Sequence, residues 1–344
     1  MGEVSTIGLD IAKSVFQVHG VDDAGAVVMR KRVGRSKVLE FFGSLSPCLV
    51  GIEACPSAHY WSRELQALGH TVKLMPPTYV KAYLKRSKND ANDAAAICEA
   101  VTRPSMRFVP IKTAEQQATL TVHRTRDLLI SQRTQLINAL RAHLAELGFV
   151  TNQGRDGVTK LIAIVTAENN LQALPAMMRE ALRVVVAHLA SLQQQIRELE
   201  RSIHAQHRAS DVSQRLESIP GIGVIGATAI AATITDPNVF TSGRDLAAWI
   251  GLVPRQSSTG GKERLGGISK QGDRYLRRLL VVGATAVVRH ARRHPDKHPW
   301  ITKLLARKPA KLVAIAVANK TARIAWAIMN KGGIYRTPAL AAAA

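Results

Sequence analysis

Aromatic residues are scarce: six Phe, five Tyr and four Trp among 344 residues. Base stacking on rings is therefore not the main grip this chain would have on a nucleic acid. Cysteine is nearly missing. Cys48, Cys55 and Cys98 form no CxxC and no metal-ligand spacing, which argues against a disulfide framework or a zinc site and fits a reducing cytoplasm. No apolar run reaches the roughly 20 residues that span a bilayer. The opening MGEVSTIGLD lacks a basic stretch followed by an apolar one, so no secretory signal is expected. The deficit that matters most is in acid: 25 Asp and Glu face 47 Lys and Arg, leaving a net charge of +22.

Such an excess, with an isoelectric point near 10.5, attracts polyanions, of which nucleic acid is the commonest. A membrane surface is the rival partner. No Lys-rich amphipathic helix with Trp and Phe on its other face supports it. Hydrophobic content is ordinary at 46%, so the chain can bury a core and divide into two or three domains.

In the first hundred residues short apolar strands alternate with helical stretches, which predicts a layered α/β domain. Residues 5–18 read as a strand with Asp10 embedded in it. Residues 26–33 read as its hairpin partner across Asp22-Asp23-Ala24-Gly25. Residues 49–52 form a strand ending at Glu53, Ser57 caps a helix closed by Gly69, and 70–75 form a further strand. A helix over 91–101 follows Asp90 and Asp93, whose three-residue spacing puts both carboxylates on one face. Taken singly, Asp90 suits an N-cap and Asp10 a salt bridge to Lys13 or Lys88. Taken together with Glu53, these carboxylates at successive strand and helix ends suit a hard divalent cation, Mg²⁺ above all. Two such ions would stabilise in-line displacement at a phosphodiester. The GLDI start also suits a sugar-kinase or actin-type phosphate loop, but Lys13 and Ser14 stand where that loop needs small residues, and no second phosphate loop is found.

Two long helices are expected next, over 113–147 and 176–207. The second carries Leu182, Val185, Leu189, Leu192, Ile196, Leu199 and Ile203, an alternating three–four spacing that makes a coiled-coil seam. It serves either an intramolecular helical hairpin or self-association. LESIPGIGVIGATAI, over 216–230, fits a helix–hairpin–helix with Gly221 and Gly223 in its turn, a motif that aims backbone N–H groups at a phosphate. From 251 to 278 the chain reads GLVPRQSSTGGKERLGGISKQGDRYLRR. Ser257, Ser258 and Thr259 precede a Gly pair, which by itself reads as a flexible surface loop. Lys262, Arg264, Lys270, Arg274, Arg277 and Arg278 surround or follow these hydroxyls, and basic residues beside hydroxyls suit a phosphate. Between 255 and 311 only Glu263, Asp273 and Asp296 oppose fifteen cations. Helices are expected over 273–292 and 311–330, and the Ala-rich 339–344 reads as a frayed tail.

GLDIAK around Asp10, GIEACPS around Glu53, KNDANDA around Asp90 and Asp93, and then IPGIG, GLVPRQ and GISKQGDRYLRR resemble the transposases of the DEDD insertion-sequence type, the bridge-RNA-guided recombinases. The resemblance covers nearly the whole chain. It implies a RuvC-like, ribonuclease H-type catalytic domain over 1–110, a helical coiled-coil region over 111–209, and an all-α transposase domain with a helix–hairpin–helix and a serine loop over 210–344. It implies that Asp10, Glu53, Asp90 and Asp93 hold Mg²⁺ and that a serine attacks the DNA backbone, leaving a serine–DNA phosphodiester. Register from the ISK motif selects Ser258, with Ser257 and Thr259 as the fallbacks. Gly221, Gly223, Lys262, Arg264, Lys270, Arg274, Arg277 and Arg278 would contact nucleic acid. The implied partners are donor and target DNA, a structured guide RNA, and further copies of the chain in a dimer or tetramer, with no membrane. The alternatives are a junction nuclease in which water attacks, and a non-catalytic nucleic-acid scaffold.

Overall fold

The computed structural model describes residues 3–84, 89–167, 174–262 and 264–336. Lys88, Glu263 and the 339–344 tail lie outside the described residues. The chain divides into two compact units, residues 1–117 with 234–241, and residues 118–233 with 242–344.

The first unit is built on a five-stranded sheet: β1 (Thr6–Asp10), β2 (Val15–Val21), β3 (Val27–Gly34), β4 (Leu49–Glu53) and β5 (Thr71–Met75), in the order β3-β2-β1-β4-β5. The first three strands form an antiparallel meander, and β4 and β5 run parallel to β1. The expected single strand over 5–18 is in fact two strands, because a turn at 11–14 folds β2 back on β1. The strand over 27–34 therefore pairs with β2, and Asp22 Oδ1 accepts the N–H groups of Ala24 and Ala26 to close that turn. β3 is an edge strand carrying Arg30, Lys31 and Arg32 exposed, charges that discourage pairing with another chain. Ile7, Leu9, Phe16, Val50, Ile52 and Leu74 are fully buried in the core.

The helices of this unit are α1 (Val38–Gly43), α2 (Ala58–Ala67), α3 (Pro77–Val80) and α4 (Asp90–Val101). Ser57 precedes α2 with φ 71° and makes no side-chain cap, so the cap expected there is not formed. α4 lies directly on the sheet, because its cradle is made of glycine. Gly8 of β1 and Gly51 of β4 are register partners. A Cβ on Gly8 would meet Ala94 O at 2.1 Å, and one on Gly51 would meet Val101 Cβ at 2.8 Å.

Helix α5 (Ala114–Ala145) carries the chain into the second unit, followed by α6 (Arg155–Thr166) and α7 (Ala176–Arg208). α6 was not expected from the sequence. Leu140 and Leu144 of α5 pack with Leu182 of α7, while Arg126 near the start of α5 donates to Glu200 near the end of α7, so the two helices run antiparallel. Leu182, Leu189, Leu192, Ile196 and Ile203 of the seam are buried within one chain, as an intramolecular hairpin requires. Then come α8 (Asp211–Glu217), α9 (Val224–Thr233), α10 (Gly243–Trp249), a two-stranded hairpin of β6 (Pro254–Gln256) and β7 (Leu265–Ile268), α11 (Arg274–Arg293), α12 (Pro299–Leu305) and α13 (Ala310–Lys331). By length and composition alone α13 is apolar enough to cross a membrane, although Lys320 and Arg323 interrupt its apolar run. Val313, Ala314, Val317, Ala318, Ala322 and Ala325 are nevertheless buried, and the helix packs on α10 and α11, as a core helix does.

Candidate metal centre and serine hairpin

Asp10 ends β1 and Glu53 ends β4. Because Leu9 pairs with Ile52 in parallel register, the two carboxylates leave the same end of adjacent strands, both half-buried. Glycine at positions 8 and 51 lets α4 approach, and its first turn brings Asp90 and Asp93 to Asp10. Carboxylate oxygens of these three residues all lie within 4.8 Å of one another. Glu53 is outside that group of three. The N-cap of α4 is Asn89, whose side chain accepts Asn92 N–H at 2.8 Å. Capping is therefore not the role of Asp90.

Like charges this close repel unless a cation or protons offset them. Their field reaches Cys55, whose thiol is pushed up by burial first and then by the charges of Glu53 and Asp10. The donor set is all oxygen, as hard cations require. Oxygens sharing one Mg²⁺ at about 2.1 Å stand at most about 4.2 Å apart, within a small side-chain adjustment of the present spacing. The residues thus fit a divalent ion.

In the second unit the stretch expected as a flexible loop is a β-hairpin. Ser257 N–H donates to Arg264 O at 2.9 Å and Lys262 N–H to Thr259 O at 3.1 Å. Between them Gly260 and Gly261 have φ of 56° and 76°. A two-residue turn with positive φ at both centres matches the twist of its strands and selects glycine. Ser257, Ser258 and Thr259 are exposed. Ser258 Oγ accepts from the Gln256 amide at 3.1 Å, a partner the sequence did not suggest.

The base of the hairpin is tied down. Gly251 and Gly272 have φ of 81° and 71°, and a Cβ on either would strike backbone at 2.3 or 1.9 Å. Ser269 N–H donates to Val253 O and Lys270 N–H to Gly251 O. Lys270 itself has φ 57°, a conformation uncommon outside glycine. Arg277 Nη1 donates to Ile250 O at 2.7 Å and Gln271 O at 2.6 Å. Arg278 pairs with Asp127 and stacks over Tyr275. The expected nucleic-acid contacts therefore divide. Lys262, Arg264, Lys270 and Arg274 are exposed and make no ion pair among the described residues, whereas Arg277 and Arg278 are engaged inside the unit. Gly221, with φ 89°, packs on α11: a Cβ on Gly283 would lie 1.8 Å from Gly221 O. Gly223 is exposed in the same turn between α8 and α9.

The chain is similar to known proteins along nearly its whole length. Residues 7–149 match the DEDD transposase domain of IS110 elements, which implies a divalent metal and is consistent with the ribonuclease H-like order of the sheet. Residues 213–299 match the profile described as Transposase IS116/IS110/IS902 family. A probable family 20 transposase of Pseudomonas aeruginosa is 52% identical over 97% of this chain and 99% of its own length. The transposase of insertion sequence IS1328 from Yersinia enterocolitica is 40% identical over 97% and 99%. That of IS1111A from Coxiella burnetii is 39% identical over 98% and 92%. The chain belongs to the IS110/IS116 family of insertion-sequence transposases, DNA-processing enzymes that carry a DEDD domain.

Proposed function

We propose that this transposase cuts and rejoins DNA through a serine–DNA intermediate, with Ser258 as nucleophile and Mg²⁺ held by Asp10, Glu53, Asp90 and Asp93. The observation that carries the reading is the convergence of Asp10, Asp90 and Asp93 at the glycine-cradled start of α4. The functional division follows the motifs: a catalytic segment over 1–110, helices over 111–209 that join copies in a dimer or tetramer, and a transposase segment over 210–344. A structured guide RNA pairs with donor and target DNA in the bacterial cytoplasm, on the strength of the family resemblance. The protein is then left to grip backbone rather than to read bases.

In the proposed step Ser258 Oγ forms a bond to phosphorus as the bond to one strand's leaving oxygen breaks. The hydroxyl proton passes to that oxygen through a general acid–base relay, and the phosphodiester count is conserved. A serine hydroxyl needs activation for this. A bound divalent cation supplies charge neutralisation at the phosphate and eases deprotonation of the attacking hydroxyl. Gln256 orients Oγ through its amide. Lys262, Arg264, Lys270 and Arg274 offset charge on the phosphate oxygens, and the exposed turn at Gly223 offers backbone to a neighbouring phosphate.

The test uses the full chain, guide RNA, DNA and Mg²⁺. Asp10→Asn and Asp93→Asn abolish strand scission while leaving DNA affinity unchanged. Full activity of Asp10→Asn overturns the metal site. Scission undiminished in Ser258→Ala and without adduct assigns the attack to water, and binding without scission in any divalent metal makes the chain a scaffold.

A further inference from the structure

The first unit has a second polar site that the carboxylates do not explain. The turn between β1 and β2 and the start of the helical stretch after β3 border an open cleft of about 680 Å³. Lys13, Ser14, Arg35, Ser36, Tyr60 and Trp61 line it, and no carboxylate does. Lys13 and Arg35 make no ion pair among the described residues, so two cations share a cleft with three hydroxyl groups and no resident counter-charge.

The cleft is built rather than incidental. Arg35 sits over two aromatic faces, its guanidinium 5.6 Å from the Phe16 ring and 5.2 Å from the Trp61 ring. Its Nη1 donates to Ala12 O at 3.4 Å, and its backbone N–H donates to Ser14 O at 2.9 Å. Arg35 is thereby fixed against the turn that carries Lys13 and Ser14. Trp61 is only 5% exposed, and its indole Nε1–H is buried with no hydrogen-bond partner among the described residues. Folded proteins rarely leave a buried donor unsatisfied, and such a group asks for a ligand or water. A planar guanidinium, an ammonium and three hydroxyls form a donor set that suits an oxyanion, and on a DNA-processing chain a phosphate.

We propose that this cleft holds a backbone phosphate of the DNA strand entering the carboxylate site. Lys13 follows Asp10 by three residues, which span at most about 10 Å, so the bound phosphate would lie within a nucleotide or two of the scissile one. The identity of the ligand rests on the DNA-processing function; the anion site itself does not.

The test follows the Trp61 indole N–H resonance of the full chain in a nitrogen–proton correlation spectrum. The resonance is assigned by Trp61→Phe or, where that variant does not fold, by elimination with Trp249→Phe, Trp300→Phe and Trp326→Phe. Short oligothymidylate and inorganic phosphate are titrated separately. The Trp61 resonance moves with the oligonucleotide and, more weakly, with phosphate. Lys13→Gln, an exposed change that does not threaten folding, reduces both shifts and lowers the slope of log affinity on log salt by about 1; Arg35→Gln does the same. A resonance that stays fixed while DNA binds elsewhere overturns the site, as does an unchanged slope in both variants. Movement with inorganic phosphate alone overturns the DNA assignment. A chain that shows the Trp61 shift but no scission in any metal refutes the catalytic reading and leaves the cleft standing.

Discussion

At the scale of single residues, a buried histidine gives the second unit a measurable pH signature. His123 is 1% exposed. Thr228 donates its hydroxyl to Val224 O at 2.8 Å, so it accepts from His123 Nε2–H at 3.0 Å, and His123 Nδ1 accepts the Tyr275 hydroxyl at 3.0 Å. This order fixes a neutral imidazole. Burial, then the charge of Arg126, pulls it from 6.5 down to about 4. Between those values the unfolded chain takes up a proton that the folded chain refuses. The contribution is whole above about pH 6.5 and is lost as pH falls toward 4, by on the order of 3 kcal/mol. Denaturant titrations across that range should show the fall, and His123→Gln should remove that share of the slope while carboxylate titration remains. Gly8→Ala tests the cradle. Its Cβ collides with Ala94 O, so α4 must lift. Overpacking of this kind costs about 1–3 kcal/mol. Calorimetry should record a lower melting temperature together with loss of Mg²⁺ binding. A stable variant that binds Mg²⁺ normally would show that α4 does not set the carboxylate spacing.

At the scale of elements, the hairpin of β6 and β7 depends on a staple as much as on its turn. Arg277 donates to two carbonyls at the hairpin base, that of Ile250 partly buried and that of Gln271 exposed, and losing such charged hydrogen bonds costs about 1–3 kcal/mol. Arg277→Gln should therefore lower stability and loosen the Ser258 loop, read as faster amide exchange from 254 to 268. Its salt slope for DNA should stay near that of the wild type, unlike that of Lys262→Gln. The elements themselves were largely legible. β4, β5, α5, α7, α11 and α13 lie where apolar periodicity and Gly or Pro punctuation put them. Helix α6 and the uncapped start of α2 were not, and three further features show why. The turn at 11–14 carries neither Gly nor Pro, so β1 and β2 read as one strand. Residues 257–264 lack apolar alternation, so a hairpin held by backbone pairing and two positive-φ glycines read as a loop. Asn89, one residue before Asp90, is the cap, and side-chain chemistry alone does not rank two adjacent capping residues. The carboxylates were visible because charge inside apolar sequence is costly. Gln256 and the Arg277 staple were invisible, since an exposed amide or arginine looks alike whether it meets a carbonyl, a hydroxyl or solvent.

At the scale of the whole molecule, the charge of +22 sets how the chain meets DNA. Arg277, spent on two carbonyls at 2.7 and 2.6 Å, and Arg278, paired with Asp127, contribute little to counterion release, so the exposed and unpaired cations of the second unit should carry it. Replacing Lys262, Arg264, Lys270 and Arg274 one at a time with Gln should each lower the slope of log affinity on log salt by about 1, evenly across DNA sequences. A loss confined to one sequence would mean base reading instead. Seam burial inside one chain predicts that Leu189→Asp with Ile196→Asp unfolds the α5–α7 pair, seen as a lost cooperative melting step. On the proposed function, the carboxylate centre and the serine hairpin act on one phosphodiester. Peptide mapping of a trapped protein–DNA adduct tests it most directly. A nucleotide attached at Ser258 is expected, formed only with a divalent metal and absent from both Ser258→Ala and Asp10→Asn. Attachment at Ser257 or Thr259, or DNA cut with no residue modified, would contradict it.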